Sequence, residues 1–156
     1  MTDLADFTRV AAGDRHLCVV ATARADGTAQ ASVVNAGVMR HPFRAGAGAG
    51  AGAGADVVVF VARGGSRKIA NLRARPAMTV VARAGWEWVA VEGDAEVMGP
   101  DDTFAGVDDE VLRRLLREAF TAAGGTHEDW DEYDRVMAED RRAVVLITPS
   151  RVYSNG

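Results

Sequence analysis

The sequence has 156 residues, of which 48% are hydrophobic and 26% are charged, and its formal net charge is −4. This composition is typical of a globular chain and excludes a disordered or collagen-like protein. The length suits one domain, which we expect over residues 1–156. No apolar run is long enough to span a bilayer, and the start MTDLADFTRV lacks the features of a signal peptide, so we expect no membrane partner and a cytoplasmic location.

The charge is distributed unevenly along the chain. Residues 1–86 contain 11 Lys and Arg against 5 Asp and Glu, whereas residues 87–156 contain 7 against 17. The acidic total argues against a nucleic-acid partner. The basic half indicates a surface that meets something anionic, although acidic helices that merely face solvent would give the same asymmetry. Lys68 is the only lysine, so its environment is the first to establish.

Hydrophobic periodicity and turn residues predict six strands and a few short helices. The strands are expected over residues 16–24, 29–40, 56–63, 77–83, 86–98 and 142–148. The helices are expected from a cap at Thr2 or Asp3 to Gly13, over 67–72 after Ser66, over 109–123, and over 127–140 after Thr126. Many of the strands are linked by hairpins, so we predict a mainly β, α+β fold: a six-stranded antiparallel split β-barrel with about three peripheral helices.

One segment is of low complexity. Residues 45–55 read AGAGAGAGAGA and offer no side chain larger than a methyl group to offset the entropy of ordering the chain. We therefore expect a flexible connection between two strands and assign it no role. A silk-like sheet is the alternative, which so short a run in a globular chain does not favour.

The segment GGSRKIANL, residues 64–72, carries the strongest indication of a ligand. Two glycines let a ligand approach the backbone, Ser66 offers a hydroxyl at a helix start, and Arg67 and Lys68 add two cations. Arginine can bind two phosphate oxygens through its planar fork, while lysine acts as a point charge. The segment meets the requirements of a phosphate site; the alternative is a capped helix with ordinary surface cations. Neither GxxxxGK[ST] nor GxGxxG is present.

Polar and aromatic residues on two strands are further candidates. Gln30 and Ser32 share one face of their strand by the two-residue period, and Asn35 falls on the other. Their side chains would hydrogen-bond a planar heterocycle, or they are solvent-facing positions of a half-buried strand. Trp86 and Trp88 share a face of a later strand, where they would form a pocket wall, a core contact or a subunit interface.

The sequence offers no set of side chains for hydrolysis. Cys18 lies in an apolar run and is expected to be a buried hydrophobe. The three histidines are far apart and outside any HExxH frame, so we expect no metal site. There is no GxSxG nucleophile elbow, and the carboxylates of the last helix fit its solvent face. A phosphate-binding segment without these groups is best explained if a cofactor supplies the reactivity.

Four segments in order give the chain a family resemblance. They are HLCVVATARADGTAQASVV, SRKIANLRARPAMTVV, GWEWVAVEGDAEV and HEDWDEYDRVMAEDRRAVVLITPSRVY. Together they resemble the pyridoxamine 5'-phosphate oxidase-like flavin and deazaflavin oxidoreductases, the split β-barrel superfamily, over nearly the whole length. The run WxWVAVEG and the closing segment DRRxxVLxxPxRVY are similar to the branch that uses the deazaflavin coenzyme F420.

The resemblance implies a homodimer of split barrels, with each cofactor in a groove at the dimer interface. Ser66, Arg67 and Lys68 match the phosphate-binding segment of the family, and Asn71 follows on the same short helix. The strand that runs along the flavin or deazaflavin ring is matched by Gln30, Ser32, Val34 and Asn35. A strand position that approaches the cofactor corresponds to Trp88, with Trp86 beside it.

The function implied by the resemblance is that of an F420-dependent oxidoreductase, which transfers a hydride between the reduced deazaflavin and a small organic acceptor. An FMN-dependent oxidoreductase on the same barrel is the first alternative. The phosphopyridoxamine oxidases carry basic residues where this chain has Gln30 and Asn35, which weakens the expectation of FMN. Two further alternatives are a non-catalytic flavin- or deazaflavin-binding protein and a plain dimeric interaction protein. No catalytic residue is assigned.

Overall fold

The six strands form a closed antiparallel barrel in the order β1-β2-β3-β6-β5-β4, as predicted. The structure, a computed structural model, describes residues 1–45 and 54–156. In chain order the elements are α1 (Leu4–Ala12), β1 (Leu17–Ala23), β2 (Ala29–Ala45), β3 (Gly54–Ala62), α2 (Arg67–Ala74), β4 (Ala77–Ala84), β5 (Glu87–Met98), α3 (Asp109–Ala122), α4 (Trp130–Glu139) and β6 (Ala143–Ser154). Within the described ranges, no helix combines the length and the apolar character needed to cross a membrane.

The predicted Ala/Gly connection falls largely outside the described residues. Residues 46–53 lie outside them, so the flexibility of this segment stays a prediction. Its two ends belong to strands, because β2 continues to Ala45 and β3 begins at Gly54, and these two residues pair with each other.

The last strand is longer than the sequence predicted. β6 does not stop at Thr148 but continues to Ser154, and its second half pairs with β5 after a shift in register. Pro149 lies at this shift, opposite Gly93. Proline has no amide to donate and is tolerated in a sheet at such irregular positions. The polar run that follows breaks the apolar pattern, which is why the sequence missed this half of the strand.

Aspartates cap the starts of α1, α3 and α4. Asp3 caps α1 and forms a reciprocal capping box with Asp6. The prediction that Thr126 caps the last helix is wrong: α4 begins at Trp130, and the Asp129 carboxylate accepts a hydrogen bond from the Glu132 amide at 3.1 Å. An aspartate at this position also interacts favourably with the positive end of the helix dipole.

Two hydrophobic clusters hold the molecule together. Alternate residues of the strands fill the barrel, among them Val20, Phe60, Val80, Val91 and Val145. Cys18 belongs to this cluster at 2% exposure, and burial raises the pKa of its thiol to about 12, so the prediction of a buried hydrophobe is confirmed. The second cluster lies between the outer faces of β3 and β6 and the apolar face of α3; it includes Val57, Val59, Leu112, Leu116 and Leu146.

The end of α3 lies directly against the backbone of β2. A Cβ atom placed on Gly37 would lie 1.9 Å from the carbonyl oxygen of Ala122. No side chain fits in that distance, so Gly37 is required for the helix to reach the strand. This contact sets the position of α3 beside the barrel.

Gly37→Ala tests this contact. The added methyl group must push α3 away from β2, and we expect the free energy of unfolding to fall by about 1–3 kcal/mol, the usual cost of overpacking. Chemical denaturation measures the change. Gly65→Ala is the matched control, since a Cβ atom there would meet nothing within 4 Å. Equal stability of the two variants would contradict the close packing of α3.

Candidate functional site

A cleft of about 590 Å³ lies between the barrel and the helices α3 and α4. β2 and β3 form one side, and the β3–α2 junction and the start of β6 form its rim. The apolar wall is made by Val34, Val61, Ala119, Phe120, Tyr133 and Met137. A cleft of this size with an apolar wall and a few polar groups is typical of a small-molecule or cofactor site.

Four cations line the same cleft. Arg63 and Arg142 share the carboxylate of Asp140, at 3.7 Å and 3.2 Å. Lys68 and Arg15 form no ion pair with any carboxylate of residues 1–45 and 54–156. Partial burial, and secondarily the positive charge of Arg142, lowers the pKa of Lys68. Positive charge therefore accumulates in the cleft without a matching negative charge, and this favours an anionic ligand.

The first turn of α2 faces the site with unpaired backbone donors. Ser66 occupies the N-cap position, but its hydroxyl donates to the Arg63 carbonyl at 2.8 Å and accepts no bond from the helix. The expected side-chain cap is therefore wrong. The first intrahelical bond runs from the Ala70 amide to the Ser66 carbonyl at 3.2 Å. The amides that precede Ala70 have no carbonyl to meet within the helix, and such a helix start favours an anion.

A tight backbone contact brings the two sides of the rim together. A Cβ atom on Gly64 would lie 2.5 Å from the carbonyl oxygen of Arg141. α4 ends there in a Schellman motif: the Arg142 amide donates to Met137 at 2.9 Å, and the Arg141 amide donates to Ala138 at 3.1 Å. Arg141 has a φ of 51°, a left-handed conformation that glycine usually supplies. The motif sets where the backbone of Arg142 leaves the helix.

Arg15, which also lines the cleft, is held by a second left-handed turn. Arg15 and His16 have φ values of 57° and 61°. The Asn35 side-chain amide donates to the Arg15 carbonyl at 3.0 Å, and the Ala36 amide donates to the His16 carbonyl at 2.9 Å. His16 Nδ1 lies 3.0 Å from the Ala36 carbonyl, which can only accept, so Nδ1 carries the proton. Strained backbone of this kind is often found at functional sites.

The aromatic wall provides surface and no acid or base. The Tyr133 hydroxyl donates to the Leu116 carbonyl at 2.9 Å, and burial is the main cause that raises its pKa to about 12. Its ring lies 4.9 Å from the ring of Phe120, measured between centroids. Tyr133 is therefore a wall of the cleft and a poor proton donor. In the described part of the chain, no three His, Cys, Asp or Glu side chains are grouped to hold a metal ion.

The structure brings four of the ten predicted site residues to the cleft: Val34, Asn35, Ser66 and Lys68. Arg67 is exposed beside Lys68 on α2 and does not line the cleft. Ser32 and Gln30 point to the inner face of β2, as the two-residue period predicted, because they pair with the inward residues Val20 and Thr22. The Ser32 hydroxyl is buried without a hydrogen-bond partner among the described residues.

Gln30 and Asn71 belong to a buried network instead. The Asn71 side-chain amide donates to the Thr22 hydroxyl at 3.0 Å, and that hydroxyl donates to the Gln30 carbonyl oxygen at 3.2 Å. Asn71 is 5% exposed and Thr22 is 3% exposed. The network ties α2 to β1 and β2, so these two polar residues position the helix that carries Lys68.

The two tryptophans lie outside the cleft of the single chain. The prediction that Trp86 belongs to a strand is wrong, because β5 begins at Glu87 and Trp86 is 93% exposed in the preceding turn. Trp88 lies on the outer face of the barrel, edge-on to Tyr153 with a centroid distance of 6.0 Å. Neither side chain lines the cleft.

Sequence reasoning missed most of the cleft outside α2 and β2. The missed residues are Arg15, Arg63, Phe120, Tyr133, Met137 and Arg142. The arginines follow or precede strands and look like ordinary surface cations in the sequence. The aromatic residues fit the apolar faces of amphipathic helices, so nothing in the spacing separates a cleft wall from a core contact.

The chain as a whole matches a known family. The family model for pyridoxamine 5'-phosphate oxidase matches residues 5–156. The chain therefore belongs to the pyridoxamine 5'-phosphate oxidase family, a family of flavin-binding oxidoreductases.

Solved structures share the fold at low sequence identity. A conserved hypothetical protein from Mycobacterium tuberculosis superposes with a TM-score of 0.65 at 18% identity, over 99% of this chain and 84% of the other. A protein described as an F420 reductase superposes with a TM-score of 0.56 at 17% identity, over 89% of this chain and 90% of the other. A pyridoxamine 5'-phosphate oxidase-related, FMN-binding protein from Nostoc punctiforme superposes with a TM-score of 0.57 at 11% identity, over 96% of this chain and 82% of the other. These similarities extend over most of each chain and establish a common barrel.

The residues of the cleft fit a phosphorylated planar cofactor. Lys68 and the first turn of α2 supply positive charge and free amides. The apolar wall suits a ring system. Gly125 allows the chain to cross Phe120, since a Cβ atom there would lie 2.5 Å from the ring. The donor set contains a lysine and arginines, which bind phosphate, and it lacks the grouped acids that would repel one.

Thr22→Val tests the network beneath α2. The substitution keeps the shape but leaves the buried Asn71 amide without its acceptor, so the free energy of unfolding should fall by about 1–3 kcal/mol. Thermal and chemical denaturation measure this change. Thr79→Val is the matched control, because the Thr79 hydroxyl makes no hydrogen bond among the described residues. If both variants have the stability of the wild type, the network does not hold α2 in place.

Proposed function

We propose that the protein is an F420-dependent oxidoreductase that transfers a hydride between the reduced deazaflavin and a small organic acceptor. The observation that carries this proposal is the combination, in one cleft, of the unpaired Lys68 at the start of α2 with an apolar, aromatic wall. F420 presents a phosphate and carboxylates beside a flat ring, which matches a cleft with four cations better than a cofactor with a single phosphate does. The structural similarity to an F420 reductase supports the same choice.

Each part of the cleft has a role in this proposal. Lys68 and the free amides of α2 would bind the phosphate, with Ser66 and Arg67 beside them. Val34 and Asn35 would lie along the ring, since the side chain of Asn35 keeps its carbonyl oxygen free after donating to Arg15. The apolar wall would exclude water from the reacting atoms. The bound cofactor would supply the hydride chemistry, which no side chain of the cleft offers.

An FMN-dependent oxidoreductase is the second candidate. The similarity to an FMN-binding protein of the same fold favours it, and so does the family's flavin chemistry. Gln30 does not decide between the cofactors through a direct contact, because its side chain is engaged with Thr22. A non-catalytic binding protein would use the same residues and show no turnover. The cytoplasmic location and the small-molecule acceptor also stay predictions.

We also propose that the protein is a homodimer that completes the cleft. A row of paired residues crosses the outer face of four strands, from Val33 on β2 to Val19, Val81 and Ala90. Val33 is 62% exposed and Val19 is 45% exposed, although both are large aliphatic residues. Val33 also lines the cleft, so the apolar row continues to its open side. A second copy would cover these residues and close the site.

Lys68→Gln tests the proposed cofactor site. Loss of one charge-assisted hydrogen bond, worth about 1.5–3 kcal/mol, should weaken F420 binding by at least about tenfold in a fluorescence titration. Arg114→Gln is the matched control: it removes one cation from the exposed face of α3, where Arg114 forms no ion pair with the described residues. Unchanged affinity of Lys68→Gln, or equal losses in both variants, would contradict the phosphate assignment.

Val19→Asp tests the dimer. A carboxylate in the middle of the apolar row would lose its hydration on assembly, so the variant should sediment as a monomer at concentrations where the wild type is a dimer. Ala105→Asp, in an exposed loop before α3, should leave the dimer intact. Sedimentation velocity measures both. A dimer that survives Val19→Asp would show that this face is not the interface.

A further inference from the structure

We propose that Arg142 is a second oxyanion-binding residue of the cleft and that Asp140 is its exchangeable counterion, displaced when the anion binds. This inference rests on the proposed function, because it assigns to the same cleft a second contact for an anionic ligand. Arg142 lines the cleft just before β6, outside the segment that contains Lys68. The ligand chemistry is a phosphate or carboxylate oxyanion.

The contact between Arg142 and Asp140 has poor geometry. Arg142 donates from both Nε and Nη2 to the same oxygen, Oδ2, at 3.3 Å and 3.2 Å. Nε of Arg63 lies 3.7 Å from that oxygen as well. Charge-assisted hydrogen bonds of this type are ordinarily about 2.7–2.9 Å long, and the strong arginine–carboxylate pairs are bidentate. One carboxylate oxygen is thus shared by two guanidinium groups and satisfies neither.

Another arginine of the same chain shows what a strong pair looks like. Arg73 binds both oxygens of Asp102 through Nε and Nη2, each at 2.9 Å. The hydrogen bonds between Arg142 and Asp140 are longer than these, and both end on one oxygen. The side chains of Arg142 and Asp140 are nevertheless shielded from solvent to a similar degree as those of Arg73 and Asp102, at 26% and 27% exposure against 35% and 15%. The weakness of the Arg142 pair is therefore not a consequence of free exposure to water, and an external oxyanion can compete for the guanidinium.

The backbone before Arg142 is held in place, whereas the ion pair of Arg142 with Asp140 is weak. The Schellman motif at the end of α4 and the contact of Gly64 with Arg141 hold the chain immediately before it. Arg142 therefore starts from a defined point on the rim and does not depend on Asp140 for its position. A cation whose backbone is already fixed and whose ion pair is weak can exchange that pair for a ligand, because binding needs little further ordering of the protein.

Charge repulsion inside the cleft favours the exchange. The positive charge of Arg142 contributes to the lowered pKa of Lys68, which has no carboxylate partner among the described residues. Asp140 lies between Arg142 and Arg63, so its single charge is already divided between two cations. An oxyanion placed between Lys68 and Arg142 would attract both of them and relieve their mutual repulsion.

Arg142→Gln and Asp140→Asn test the proposal by titration with F420, FMN and inorganic phosphate at constant ionic strength. Arg142→Gln should weaken binding by about tenfold, and Asp140→Asn should strengthen it several-fold because the competing carboxylate is gone. Arg135→Gln and Glu139→Gln are matched controls, since these residues pair with each other at 3.0 Å on the exposed side of α4. The controls should change affinity by less than about twofold.

The outcomes separate this proposal from the cofactor assignment. The exchange is overturned if folded Asp140→Asn binds the ligands no more tightly than the wild type. It is also overturned if Arg142→Gln binds them as the wild type does while Lys68→Gln loses affinity. Either result leaves the proposed cofactor site intact. If the wild type binds neither F420 nor FMN, the proposed function fails, and phosphate-induced thermal stabilisation then decides the role of Arg142. Should Arg142→Gln not fold, Arg142→Lys keeps the charge but loses the planar fork, and it should give an intermediate affinity for the same ligands.

Discussion

The site depends on one close approach of two backbones, that of Gly64 to the carbonyl oxygen of Arg141. At the distance a Cβ atom would have there, 2.5 Å, only glycine fits. The contact joins the end of β3 to the start of β6, which pair as far as Ala62 and Ala143. From this junction α2 leaves in one direction with Lys68, and β6 begins in the other with Arg142. The two cations therefore face one cleft although they are far apart in the sequence.

The charges in the cleft lower the stability of the protein when no ligand is bound. Lys68 is half-buried without a carboxylate partner among the described residues, and Asp140 is divided between Arg63 and Arg142. Like charges in a partly desolvated site raise the free energy of the folded state, as the lowered pKa of Lys68 reflects. The left-handed backbone at Arg15 and Arg141 adds a second unfavourable contribution beside the cleft. Such costs concentrated at one place are typical of a binding site.

The fold could be predicted from the sequence to a much greater extent than the site. Apolar, β-branched runs and turn residues indicated all six strands, because these are local features of the sequence. The second half of β6 was missed because Pro149 and the polar residues around it hide a strand held by pairing with β5. Two residues that line the cleft, Ser66 and Lys68, could be singled out because they lie in one short segment of the sequence. Arg142 and the aromatic wall were not, because their role comes from packing that only the folded chain brings about. Gln30 and Asn71 were predicted to bind the cofactor, whereas the structure gives them a hydrogen-bond network with Thr22.

A crystal structure of the protein grown with F420, and a second one grown with FMN, would test the central claim most directly. We expect density for F420 in the cleft, with a phosphate oxygen within hydrogen-bond distance of Lys68 Nζ and of the first amides of α2, and with the ring beside Val34. The open side of the cleft should be covered by a second copy at Val33. Density for either cofactor elsewhere on the surface, or an empty cleft with Lys68 paired to a carboxylate of the protein, would contradict it.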